Sequence, residues 1–208
     1  MGAEGFAQVR EAGIAEARPS PEIAMLRLLF ALCALSAVVA LVPMAHAAPG
    51  ESYARDPVVL IDHGIICQVT PEGAREAPDT IMGAINLIEQ TRDMDVTTRV
   101  VPAKAGISFG VKFTLRPGAS DRDVTILVTH PPMGPEGVTT ETWTSPLSEG
   151  RASLNMFTFE FPYEMVPGPW IMALEVDGER LMEQHFEVVS ELAAPAVLSV
   201  CYGQDFVS

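Results

Sequence analysis

Hydrophobic and polar residues alternate most regularly in GISFGVKFTL (106–115), where Ile107, Phe109, Val111, Phe113 and Leu115 share one face. A period of two over this length predicts a strand with one side in a core. VVLIDHGIICQV (58–69) is β-branched and interrupted by Gly64. VTILVTH (124–130), GVTTETW (137–143) and SLNMFTFEF (153–161) repeat the strand signal, each closed by proline or glycine. PWIMALEVDGERLMEQHFEVV (169–189) reads as a hairpin, because Asp177-Gly178 supplies the positive φ angles of a two-residue turn. IMGAINLIEQTRDMD (81–95) fits two periods: Ile81, Ile85 and Ile88 at helical spacing, or Ile81, Gly83, Ile85 and Leu87 alternating. Gly83 and the strands on both sides favour the strand. In THPPMGPEGV (129–138) the strand is expected to end at His130, since Pro131-Pro132 cannot donate ladder hydrogen bonds.

Seven or eight short strands with turn residues between them and no long helix predict an all-β protein. The expected form is an antiparallel, immunoglobulin-like β-sandwich over residues 58–189. The Cys…Trp…Cys pattern of true immunoglobulins is absent, so Cys67 and Cys201 are not expected to form the disulfide between the sheets. Residues 48–57, APGESYARDP, read as a flexible lead-in, and 190–208 as a C-terminal tail.

The front of the chain has a different pattern. From Met25 it runs MLRLLFALCALSAVVALVPMAHA: one charge at Arg27, an apolar run Leu28–Val42, Pro43, then Ala45-His46-Ala47. That is the order of a secretory signal over 25–47, cleaved after Ala47. An uncleaved anchor is the alternative, because the uncharged stretch can be extended to the ~20 residues of a bilayer span. Cys33 follows Leu32 rather than a small residue, which argues against a lipid at that sulfur. Residues 1–24 set four glutamates against Arg10 and Arg18, an acidic leader that opposes the usual charge bias. They read as a mis-assigned or disordered extension, with Met25 as the start.

Removal of the signal leaves 23 acidic and 10 basic residues in a chain whose full-length net charge is -14. Such a field repels phosphates, so nucleic acid and anionic membrane surfaces are poor partners, while cations and basic proteins are attracted. Cys67 and Cys201 are then the two remaining cysteines. In an oxidising compartment they can pair; unpaired thiols are the other reading. Periplasmic or secreted localisation follows from the signal, with no stable membrane span after cleavage.

HGIICQV, VPAKAGISFGVKF, VTHPPMG and FTFEFPYEMVPGPW, with the closing FEVV, occur in that order over roughly 58–189. On these motifs, HPPMG and PYE-x-VPGPW above all, the chain resembles an uncharacterised bacterial family of exported proteins, the domain of unknown function 3859. The resemblance implies a β fold and export. It assigns no activity, and the N-terminal extension and the tail ELAAPAVLSVCYGQDFVS depart from it.

Three constellations carry possible chemistry. His130 and Met133 are three residues apart on a proline-stiffened loop, and with His63 they offer the imidazole and thioether donors of a copper site. Methionines within strand runs are otherwise gap-filling core. Cys67 with His63 as base is a nucleophile pair in type, but residues four apart on a strand stand ~13 Å apart, beyond hydrogen-bond reach unless Gly64 bends the chain. Glu160 with Glu164, or Glu141 with Glu175, resemble the carboxylate pairs of glycoside hydrolysis. Among so many acids these are expected on solvated faces.

Tyr163, Trp143 and Trp170 form a fourth group, which can line a groove for peptide or sugar. Phe157, Phe159 and Phe161, and Trp170, Met172, Leu174 and Val176, alternate as core, which leaves Tyr163 as a corner residue capping a backbone carbonyl. The reading favoured is a non-enzymatic binding module of the cell envelope, without a cofactor, that recognises a protein or peptide through loops or a strand edge. A periplasmic copper-handling protein is the alternative and a hydrolytic enzyme the third.

Overall fold

The computed structural model describes residues 50–203. The extension at 1–24, the signal at 25–47 and residues 204–208 of the tail lie outside the described residues. Among the described residues eleven strands and one α-helix follow in chain order: β1 (Tyr53–Ala54), β2 (Val58–Ile66), β3 (Gly73–Glu76), β4 (Ala84–Leu87), β5 (Val100–Pro102), β6 (Ser108–Leu115), β7 (Arg122–Met133), β8 (Val138–Leu147), β9 (Ser153–Thr158), β10 (Gly168–Val176), β11 (Glu179–Val189) and α1 (Pro195–Tyr202). One sheet has the order β2-β6-β9. The other has β1-β11-β10-β7-β8, with β5 running parallel to β11, and β3-β4 is a separate hairpin. Seven of the nine strands in these two sheets form the body of the sandwich, with β1 and β5 added at its edge. Their order reproduces the immunoglobulin-like arrangement, with β2, β6 and β9 as strands A, B and E and β11, β10, β7 and β8 as G, F, C and C′.

The alternation in β6 is realised in full: Ile107, Phe109, Val111, Phe113 and Leu115 are all buried between the sheets. In the place where an immunoglobulin links B to F by a disulfide, Phe109 of β6 meets Trp170 of β10 edge-on at 5.5 Å. Phe157, Phe159 and Phe186 complete the cluster around this pair. Replacing the indole of Trp170 with alanine would leave a large cavity, a change that typically costs 3–5 kcal/mol. Strand β6 is also buried on its second face. There Lys112 donates to the carbonyls of Thr91 and Arg92 and to the Asp93 carboxylate, so the excursion between β4 and β5 lies over the outside of the small sheet.

The β10–β11 hairpin turns at Asp177-Gly178, with φ of 50° and 81°, as the dipeptide predicts. Three other expectations are corrected. Strand β7 does not stop at His130 but continues through Pro131-Pro132 to Met133. Its pairing with β8 jumps from Thr129↔Thr140 to Met133↔Val138, so the prolines occupy a bulge that asks for no ladder donor. The reversal is instead made by Gly134 to Gly137, whose glycines have φ of 70° and 66°. Within 81–95 only Ala84–Leu87 is strand, and the rest is turn and irregular chain.

The lead-in is not loose: Tyr53 and Ala54 pair with Glu183 and Met182 of β11. The tail forms α1, begun by Pro195 and stopped at Gly203 with φ 84°. Val197 and Leu198 of α1 are buried, and Cys201 bonds to Cys67 at the end of β2. The chain-entropy model assigns a cross-link over a loop this long about 5 kcal/mol.

Candidate functional site

A cleft of about 460 Å³ opens where β8 and β9, the outer strands of the two sheets, face the β3-β4 hairpin. Its lining includes Trp143, Asn155, Met156, Glu141, Glu160 and Glu164. Strand β8 alternates, so Glu141, Trp143, Ser145 and Leu147 all turn inward. The Trp143 indole donates to Asn155 Oδ1 at 3.1 Å, Asn155 Nδ2 donates to Ser153 Oγ at 2.9 Å, and Ser153 and Ser145 share a hydroxyl contact of 3.2 Å. These polar contacts tie β8 to β9 and fix the cleft floor; satisfied buried networks of this kind rigidify a site.

The acidic end is equally fixed. Glu164 Oε2 accepts the backbone N–H groups of Glu160 (2.6 Å) and Phe161 (2.9 Å), closing the turn after β9. Glu141 Oε1 accepts the Ile81 N–H at 3.1 Å and so anchors the hairpin side to β8. Burial pushes both carboxyls above the usual range; the N–H donors oppose this, and for Glu141 the charge of Glu164 adds to it. At the far side of the cleft Arg75 donates to the Thr144 carbonyl, and Arg151 is exposed.

A family model described as "Domain of unknown function (DUF3859)" matches residues 55–188. The chain belongs to that family. Its match covers the whole sandwich, from the residue before β2's cis-proline turn to the penultimate residue of β11. No curated protein matches the chain. Among solved structures it is similar to an immunoglobulin-like protein from Pseudomonas aeruginosa, at 20% identity and a TM-score of 0.42, over 68% of this chain and 99% of that one. It is also similar to a Pseudomonas fluorescens alkylpurine DNA glycosylase bound to DNA containing an abasic site analogue. That likeness has 18% identity and a TM-score of 0.33, over 44% of this chain and 28% of that one.

The DUF3859 domain separates the residues proposed for metal. His130 is buried against the Trp170 ring, with centroids 4.7 Å apart, and Met133 is buried in the core. His63 lies on β2 and meets Phe186 edge-on at 6.4 Å. The rings Trp170, Phe109 and Phe186 form a continuous chain of contacts from His130 to His63, so apolar core stands between the two imidazoles. His130 Nδ1 lies 2.9 Å from the Pro131 carbonyl and therefore carries the proton. Its Nε2 is buried without a partner among the described residues. Burial holds the pKa of both histidines below the ordinary value.

Of the aromatic trio, only Trp143 lines the cleft. Trp170 is core, and its Nε1 donates to the Val166 carbonyl at 3.0 Å, the corner contact that had been expected of Tyr163. The Tyr163 ring instead stacks on Phe161 at 5.5 Å, with its hydroxyl 3.4 Å from Met82 Sδ. Cys67 has no free thiol to attack with, because the disulfide to Cys201 consumes it. Glu160 is exposed as expected, whereas Glu141 and Glu164 are buried, and Glu175 is paired with Arg180 away from the cleft. The inward position of Glu141 is visible in its two-residue spacing from Trp143, and the local signal for Glu164 is its place two residues after Pro162, at the third position of a helical turn whose N-cap is Phe161. Among the described residues no three His, Cys, Asp or Glu side chains form a metal-sized group, and no helix is long and apolar enough to cross a membrane.

Proposed function

We propose that this DUF3859 domain is an exported, non-catalytic binding module that takes a protein or peptide of the cell envelope into the cleft between the β3-β4 hairpin and strands β8 and β9. The observation that carries this reading is the cleft itself. Its volume lies within the range of small binding sites, and its floor mixes an indole, amides and hydroxyls whose mutual hydrogen bonds hold them in place. The carboxylates support recognition rather than catalysis, since Glu164 and Glu141 already spend oxygen atoms on backbone donors. A cofactor-free mode is supported by the apolar core between His130 and His63. Periplasmic or secreted placement is supported by the signal pattern of residues 25–47 and by the Cys67–Cys201 disulfide, a bond favoured in oxidising compartments.

Photo-crosslinking in intact cells tests this reading. A benzoylphenylalanine at Leu87, exposed on the cleft wall, is expected to capture a discrete envelope protein; the same probe at Leu192, exposed before α1, is not. Equal capture from both positions, or none from Leu87, contradicts it.

A further inference from the structure

The register of β9 shows what its free edge offers. Leu154 uses its N–H and carbonyl for the Gln90 side-chain amide, at 2.8 and 3.3 Å, so these groups face away from β6. In an antiparallel ladder every second residue does the same. Outward-facing positions are therefore Leu154, Met156, Thr158 and Glu160, while Phe159, one step out of phase, bonds inward to Ile107 and Gly106. Gln90 occupies the Leu154 end, and Glu164 takes the Glu160 N–H at the other. Between them, the outward backbone groups of Met156 and Thr158 have no partner among the described residues, and both residues line the cleft.

Across from this edge the chain 86–90 runs in the opposite direction to β9, with Asn86 reaching Glu160 at 2.7 Å and Gln90 reaching Leu154. Contact is made by side chains rather than by a backbone ladder, so the two segments stand farther apart than the ~4.8 Å of paired strands. The result is a slot beside an unpaired strand. Other outer strands are less suited to pairing. Strand β2 has a register irregularity between Leu60 and Asp62, and β8 carries Pro146 on its free side, whereas the β6–β9 register is regular.

We propose that the slot is a strand-addition site: an extended segment of a partner protein, carrying a lysine or arginine, pairs its backbone with Met156 and Thr158. The inference rests on the binding-module reading and names its partner chemistry. The basic residue is called for by Glu160, Glu164 and Glu141 at one end of the slot and by the acidic excess of the chain. The Arg75 guanidinium, on the carbonyl of Thr144 beside the Ser145–Ser153 contact, and Arg151, two residues before Ser153, lie toward the Ser153 end, so the basic residue belongs near Glu160 rather than anywhere along the strand. Backbone pairing supplies the affinity and the alternate side chains the selectivity, as in other modes of strand addition.

The experiment uses the chain from Ala48 to Ser208, ¹⁵N-labelled and oxidised, with the blocked peptide Thr-Val-Lys-Val-Lys-Val-Thr as probe and its glutamate counterpart as control. The lysine peptide is expected to shift the amides of Met156 and Thr158 and to bind at least about tenfold tighter than the glutamate peptide. Met156→Pro removes one outward donor from a strand edge, a position that tolerates proline, and should abolish the shift at Thr158 while the remaining spectrum stays dispersed. A lysine peptide carrying N-methyl groups on alternate residues should fail to bind the parent protein. Unchanged binding by Met156→Pro, by the N-methylated peptide or by the glutamate peptide overturns strand addition, as does the absence of shifts at Met156 and Thr158. If Leu87 crosslinking in cells persists in Met156→Pro, the cleft remains a binding site and strand addition alone falls.

Discussion

Along β11 every second residue turns backbone groups away from β10, and from Leu181 to Val189 each such residue meets a partner. Arg55 donates to Leu181, Tyr53 pairs with Glu183, His185 donates to Ser52 Oγ, Glu187 donates to Arg99, and Ala103 donates to Val189. The cover is assembled from two separate stretches, 52–55 and 99–103, that lie far from β11 in sequence. Along β9 the same spacing finds partners at Leu154 and Glu160 but none at Met156 and Thr158 among the described residues. An unpaired strand edge is an invitation to another chain, and proteins usually blunt it. This domain closes one edge with backbone and the Ser52 hydroxyl and ends the other with two side chains, which leaves a short, bounded length for pairing.

The largest expected effect comes from unlocking the closed side. Cys201 lies in α1 and Cys67 directly follows β2, so Cys67→Ser with Cys201→Ser should lower unfolding stability by about 2–5 kcal/mol, read from urea denaturation. The amides of Met156 and Thr158 should keep their exchange behaviour under native conditions, because the disulfide does not touch that edge.

Proline substitutions set the two edges against each other more sharply. Glu187→Pro removes the N–H that donates to Arg99 at 2.8 Å, whereas Met156→Pro removes one with no partner among the described residues. Both impose the same φ, so the difference isolates the hydrogen bond and its neighbours. Glu187→Pro should cost about 2 kcal/mol more than Met156→Pro by denaturant unfolding.

Much of the closed side is legible in the sequence. The alternation in 106–115 and the Asp177-Gly178 turn are local signals, and they give β6, β10 and β11 almost residue for residue. Pro131-Pro132 reads as a stop because a ladder needs donors; the bulge opposite Thr139 removes that need, and a bulge is set by the partner strand. Tyr163 and Trp170 exchange the corner role for a similar reason, since four residues separate Trp170 from the Val166 carbonyl and only the folded turn brings them together. The open edge is invisible in sequence. It depends on Gln90 meeting Leu154 from 64 residues away and on Glu164 folding back over Glu160, contacts that no periodicity encodes.

The smallest expected effect concerns the acidic end of the slot. Burial raises the Glu141 carboxyl above its ordinary 4.5, so the folded form keeps its proton to a higher pH than the unfolded chain does. The stability this adds is complete below about pH 4.5 and is lost as pH rises through the folded value. His63 and His130 act in the opposite sense, with stability present above about 6.5 and lost as pH falls through their lowered folded values. Glu141→Gln keeps an acceptor for Ile81 and removes the titration. It should match the parent near pH 4 and exceed it at pH 7, measured by thermal unfolding across pH.

Residue-resolved amide hydrogen exchange tests the contrast between the two edges most directly. The fold predicts that Met156 and Thr158 exchange rapidly in the free domain, while His185 and Glu187, held by Ser52 and Arg99, exchange at least about a hundredfold more slowly. Equal protection at all four amides would contradict an open β9 edge, and with it the site at which a partner strand is proposed to add.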